Sequence, residues 1–95
     1  MNIQNIMAQA QRMQRELEKV SKEIEETKFE GESGAVKVVI MGNYKVISIT
    51  INDTVNDNEL LSDMIMVATN DALNQIKKMK DSKLGKYTNG LGGLI

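Results

Sequence analysis

The chain has 95 residues, a net charge of −1, and neither cysteine nor histidine. The first absence excludes disulfides, thiolate zinc sites and cysteine nucleophiles, and the second removes the commonest general base and metal ligand near neutral pH. Phe29, Tyr44 and Tyr87 are the only aromatic residues, so a core must come from Ile, Val, Leu and Met, with oligomerisation as the expected supplement at this size.

The first predicted element spans residues 3–27. Ile3, Ile6, Ala10, Met13, Leu17, Val20, Ile24 and Thr27 recur at alternating spacings of three and four, which is the a/d pattern of a heptad seam. Gln, Glu, Lys, Arg and Met fill much of the rest, and all favour helix. Such a helix is roughly 37 Å long at 1.5 Å per residue. A chain this small does not cover that length alone, so a second subunit is expected against part of the seam. Arg12, Arg15, Lys19 and Lys22 fall at c and f, opposite the seam, and Glu16, Glu18, Glu23 and Glu25 at g and b flank them. On residues alone two readings stay open: a solvated face with ordinary i,i+4 pairs, or an edge that contacts phosphates.

Three strand-like segments follow. Residues 28–31 form a short alternating strand with Phe29 inward, and residues 32–34 a turn. Residues 35–41 are rich in β-branched side chains, with Val36, Val38 and Ile40 on one face. Gly42-Asn43 marks a two-residue hairpin of the II′ kind. Residues 44–51 give the cleanest alternation, with Ile47, Ile49 and Ile51 opposed to Ser48, Thr50 and Asn52. One apolar and one polar face predict a sheet covered on one side.

A second long helix is expected after residue 55. Asn56 is placed at the N-cap with Glu59 completing a capping box, and Val55 with Leu60 as a hydrophobic staple. Leu61, Met64, Ile65, Ala68, Ala72, Ile76 and Met79 form its apolar stripe. Residues 57–76 carry acids and no cation, whereas Lys77, Lys78, Lys80, Lys83 and Lys86 crowd the segment after them. The helix dipole accounts for much of this segregation. Gly85 is the expected C′ residue, giving a single α+β domain over residues 1–84 and a flexible Gly/Leu-rich tail over 85–95. The order α-β-β-β-α predicts an α+β fold, a three-stranded antiparallel sheet with two long helices.

Nothing in the chain assembles an active site. The carboxylates are scattered, and Ser33 lacks a histidine partner. The tail glycines lack the strand, helix and Lys-Ser/Thr of a phosphate loop. No enzyme activity, cofactor, metal or small-molecule substrate is expected. No apolar run approaches the roughly 18 residues of a membrane span, and the N-terminus has no secretory pattern. A soluble cytoplasmic protein is the expectation.

Several segments resemble one known family. Ile6-Met7-Ala8-Gln9-Ala10-Gln11-Arg12-Met13-Gln14 resembles the Met/Gln-rich start of the YbaB/EbfC family of nucleoid-associated proteins. Phe29-Glu30-Gly31-Glu32-Ser33-Gly34 with Val36-Lys37-Val38 resembles its strand-turn-strand, Asn70-Asp71-Ala72 its second-helix signature, and Leu91-Gly92-Gly93-Leu94 its tail. The resemblance implies a tweezer-like homodimer in which sheets and nearby helix segments associate and long helices project around double-stranded DNA in the nucleoid. It makes Arg12, Arg15, Lys19, Lys22, Lys77, Lys78, Lys80 and Lys83 the candidate phosphate contacts, with little sequence specificity. Ile6, Met13, Leu17, Val20, Ile47, Ile49 and Ile51 are the candidates for core or dimer contacts. The alternative is a dimeric protein-interaction module that uses its heptad helix and does not bind DNA.

Overall fold

The structure is a computed structural model that describes the backbone of residues 2–92 and the side chains of residues 2–87. The order is α1 (Ile3–Glu25), β1 (Lys28–Ser33), β2 (Val36–Met41), β3 (Val46–Ile51) and α2 (Asn58–Gly92). The strands form one antiparallel sheet in the order β1-β2-β3, so the chain has the expected α-β-β-β-α architecture.

α1 starts at Asn2, whose side chain accepts from the Gln4 amide at 2.9 Å. It stops at Glu25, two residues before the end of the heptad pattern. Thr27 explains the stop. Its hydroxyl donates to the Glu23 carbonyl at 2.6 Å, and its own carbonyl accepts from the Gly42 amide at 2.9 Å. The chain is thereby turned into the sheet.

β1 runs to Ser33, beyond the predicted 28–31, and the turn falls at residues 34–35, with Ser33 opposite Val36. Gly34 has φ +54°, the positive value that a II′ turn requires at its first central position. The II′-like geometry thus belongs here, not at Gly42-Asn43 as expected. The β2–β3 connection is a wider loop, in which the Tyr44 amide donates to Met41 O at 2.8 Å and the Met41 amide to Lys45 O at 2.8 Å. Tyr44 takes φ 71°, a conformation that costs a non-glycine residue about 1–3 kcal/mol. Gly42 is needed here for another reason. A Cβ on it would meet the Ile24 carbonyl oxygen at 1.8 Å, so the loop lies directly on the end of α1.

α2 packs across β1 and β2. Ala68 and Ala72 are fully buried, and a Cβ on Gly31 would lie 1.9 Å from the Ala68 carbonyl oxygen. Small residues on both sides therefore let the helix backbone touch the strand. The core gathers Ile24, Phe29, Val36, Val38, Ile40 and Ile76 around this crossing. Each such side chain contributes about 1.5–3 kcal/mol on burial.

Both ends of α2 differ from expectation. The N-cap is Asp57, not Asn56. Its carboxylate accepts from the Glu59 and Leu60 amides at 2.9 and 3.2 Å, which a charged acceptor does well at a helix start. The staple register moves with it and places Asn56, not Val55, at N′. At the other end α2 does not stop at Leu84-Gly85 but continues to Gly92. A helical glycine costs only about 1 kcal/mol relative to alanine, and burial of Tyr87, 6% exposed, holds the helix against α1. Gly93, Leu94 and Ile95 lie outside the described residues.

The result is elongated, 69 × 23 × 14 Å with a radius of gyration of 19.0 Å, against about 12 Å for a compact chain of this length. The excess length is the helical arm, where α1 and the end of α2 leave the sheet together.

Candidate nucleic-acid interface

The α1 stripe survives folding as an exposed surface. Arg12, Arg15, Lys19 and Lys22 are all exposed. At 3.6 residues per turn they lie opposite Leu17, Val20 and Ile24, of which Ile24 is buried and the other two half-buried. Arg12 to Lys22 covers about 15 Å of helix axis. Among the described residues none of the four forms an ion pair. The ion pairs are those of Lys37 with Glu30 at 3.7 Å and Glu32 at 3.6 Å. Glu18 instead accepts from the Gln14 amide group at 3.4 Å. Four exposed cations with unengaged heads are chemically suited to neutralising phosphates.

The lysines of α2 do not behave alike. Lys77, Lys78 and Lys83 are exposed. Lys80 is half-buried, with Nζ 2.8 Å from the Tyr44 hydroxyl and 4.2 Å from the ring centroid. Its charge is directed at the β2–β3 loop. The α1 stripe faces away from the α1–α2 contact, so the two sets of cations do not merge there.

The apolar candidates divide similarly. Leu17 and Val20 are half-buried, and Val20 packs against the core. Ile6 and Met13 remain 46% and 41% exposed, and Ile47, Ile49 and Ile51 are 42%, 50% and 46% exposed. Ile49 and Ile51 pair with Val38 and Val36 and so share the helix-bearing face of the sheet. α2 lies over β1 and β2 and leaves them bare. A β-bulge at Val39/Ile40 accommodates Ile47 as an extra residue.

Three features escaped the sequence reading. Tyr44 holds Lys80. Tyr87 lines a cavity of about 170 Å³ together with Ala10, Met13, Gln14 and Leu17. Asp71 and Gln75 meet the outer edge of β1, where the Asp71 carboxylate accepts from the Glu32 amide at 3.2 Å and Gln75 Nε2 donates to Glu30 O at 2.7 Å. The i,i+4 spacing of Asp71 and Gln75 was the visible signal for the last. No cluster of metal-ligating side chains occurs among the described residues. No helix among them is long and apolar enough to cross a membrane.

Residues 1–91 match the model of the YbaB/EbfC DNA-binding family. The chain belongs to this family. Similar relatives include a nucleoid-associated protein of Acetivibrio thermocellus, 41% identical over 98% of this chain and 87% of that protein. Another nucleoid-associated protein, from Lactococcus lactis subsp. cremoris, is 43% identical over 96% of this chain and 97% of its own length. The crystal structure of the uncharacterized protein HP0035 from Helicobacter pylori superposes with a TM-score of 0.69 at 21% identity. It covers 96% of this chain and 98% of that one, and so shares the fold.

Proposed function

We propose that this family member is a cytoplasmic, nucleoid-associated protein that binds double-stranded DNA as a homodimer and so organises the nucleoid or modulates gene expression. The observation that carries the reading is the α1 stripe, with Arg12, Arg15, Lys19 and Lys22 exposed and free of ion pairs among the described residues. With a net charge of −1, overall attraction to DNA is absent, and a local stripe must supply it. Phosphate contact is the chemistry such side chains offer, so sequence preference is shallow. Lys77, Lys78 and Lys83 extend the contact surface, and Lys80 joins it only if it leaves Tyr44.

The bare face of β3 favours the homodimer. Three half-exposed isoleucines on one strand form an apolar ledge that a second copy of the same sheet would cover isologously. A dimer doubles the number of stripes and places two arms beside one duplex.

The charge reversal Arg15→Glu with Lys19→Glu tests the stripe. The expected result is a loss of DNA affinity of about 100-fold at moderate salt with sedimentation mass unchanged. Unchanged affinity in an intact dimer would remove the stripe from the interface and favour the protein-interaction reading, for which the exposed Ile3, Ile6 and Met13 seam offers the surface.

A further inference from the structure

Tyr44 is the only non-glycine residue among those described with a positive φ, 71°. Glycine or asparagine takes that conformation at little cost, and backbone strain of this kind gathers at binding sites. Core packing does not explain the tyrosine, because it is 57% exposed. The loop that carries it is nonetheless well fixed. The Tyr44 amide donates to Met41 O at 2.8 Å, Asn43 Oδ1 accepts from the Lys45 amide at 3.0 Å, and Gly42 lies on the end of α1. Lys80 Nζ donates to the Tyr44 hydroxyl at 2.8 Å and stands 4.2 Å from the ring centroid. The lysine covers one face of the ring and leaves the other open. We propose that this open face is a stacking platform for an unpaired base, a second nucleic-acid site beside the phosphate contacts of α1.

Charge and preorganisation carry the assignment. Aromatic rings hold single strands because every base has a π-face, while nearby cations hold the backbone. Lys45 follows the ring in the chain and is exposed, and Lys80 stands over the covered face. Asn43 shares a cleft with Lys22, so the loop meets the α1 stripe on one side and a lysine of α2 on the other. The same cleft carries Glu18, Glu25 and Glu26. These acids repel a phosphate backbone from the cleft and leave the Lys45 and Lys80 side as the path of the strand. The hydrogen bonds of the loop set the ring before a ligand arrives, which lowers the ordering cost of binding. In a matched duplex each base already stacks on its neighbours and offers no free face. The ligand is therefore a nucleic-acid strand with unpaired bases, as at a bubble, a bulge or a single-stranded end. The platform goes beyond the duplex-binding reading and needs only the loop and Lys80.

Fluorescence anisotropy of the full chain with paired probes tests the platform. One probe is a matched duplex of random sequence, and the other is the same duplex with a central mismatched bubble. The readout is the ratio of the affinities, in which phosphate contacts common to both probes cancel. The wild-type chain is expected to favour the bubbled probe by about tenfold, as for a base stacked on an aromatic ring. Tyr44→Gly removes the ring and accepts the positive φ, and is expected to abolish the preference. Tyr44→Phe keeps the ring without the hydroxyl, and is expected to retain most of it. Equal affinities in the wild-type chain would overturn the proposal, as would failure to bind the bubbled probe or a preference that survives in Tyr44→Gly. The matched duplex reports separately on the α1 stripe. A chain that binds only the bubbled probe, and through Tyr44, keeps the platform and loses the duplex reading.

Discussion

The two edges of the sheet are finished differently. β1 alternates between buried and exposed positions. Its helix-side surface is covered by α2, and its outward Glu30 carbonyl and Glu32 amide are taken by Gln75 and Asp71. β3 is exposed at every position, although its sequence is the more strand-like of the two. Alternation reports that a strand has an apolar face. It does not report which surface covers that face. One edge is completed within the chain, and the other is left bare.

The largest expected effect comes from the close approach that completes the β1 side. Gly31→Ala drives a methyl group into the α2 backbone, where the nearest atom is backbone and cannot rotate away. Denaturant unfolding at fixed protomer concentration is expected to show a loss of about 3 kcal/mol or more. Gly85→Ala is the control, because its added Cβ meets nothing within 4 Å and removes a helical glycine. A gain of about 0.5–1 kcal/mol is expected there. Equal effects at the two positions would break the contrast between a crowded crossing and an open arm.

Next comes the bare edge. Ile49→Asp is expected to weaken self-association by about 100-fold or more, as a central apolar contact does, while circular dichroism of the separated protomers changes little. Sedimentation equilibrium reads the association. An unchanged dimer would move the interface away from β3. The smallest loss is expected at the capped edge. Asp71→Ala with Gln75→Ala removes two hydrogen bonds to β1 and is expected to cost about 1–3 kcal/mol, with faster exchange at the Glu32 amide. No change in that amide would show that the cap does not protect the edge.

Much of this was legible in the sequence, for specific reasons. The 3,4 spacing of α1, the Val36-Val38-Ile40 face and the stripe from Leu61 to Ile76 are periodic signals, and periodicity survives folding. Element ends were less legible because they depend on partners distant in sequence. α1 ends early because Thr27 is held by Gly42. α2 starts at Asp57 because the carboxylate outcompetes the neighbouring amide. It passes Gly85 because Tyr87 is buried on a helix some seventy residues earlier. The turn chemistry was exchanged between the hairpins, since Gly42 is required for contact with Ile24 and Gly34 for its positive φ. Charge pattern picked out a stripe on α1 that is exposed in the fold, but could not distinguish Lys80, held by Tyr44, from Lys77, Lys78 and Lys83.

Phosphate contact by the α1 stripe is tested most directly by fluorescence anisotropy of the purified protein with a labelled duplex of random sequence across a salt series. The log of the affinity is expected to fall linearly with log salt, with a slope of about four or more, since each neutralised phosphate adds about 0.9. A confirmed dimer that fails to bind the duplex even at low salt would contradict DNA binding by this chain and leave its arms to a protein partner.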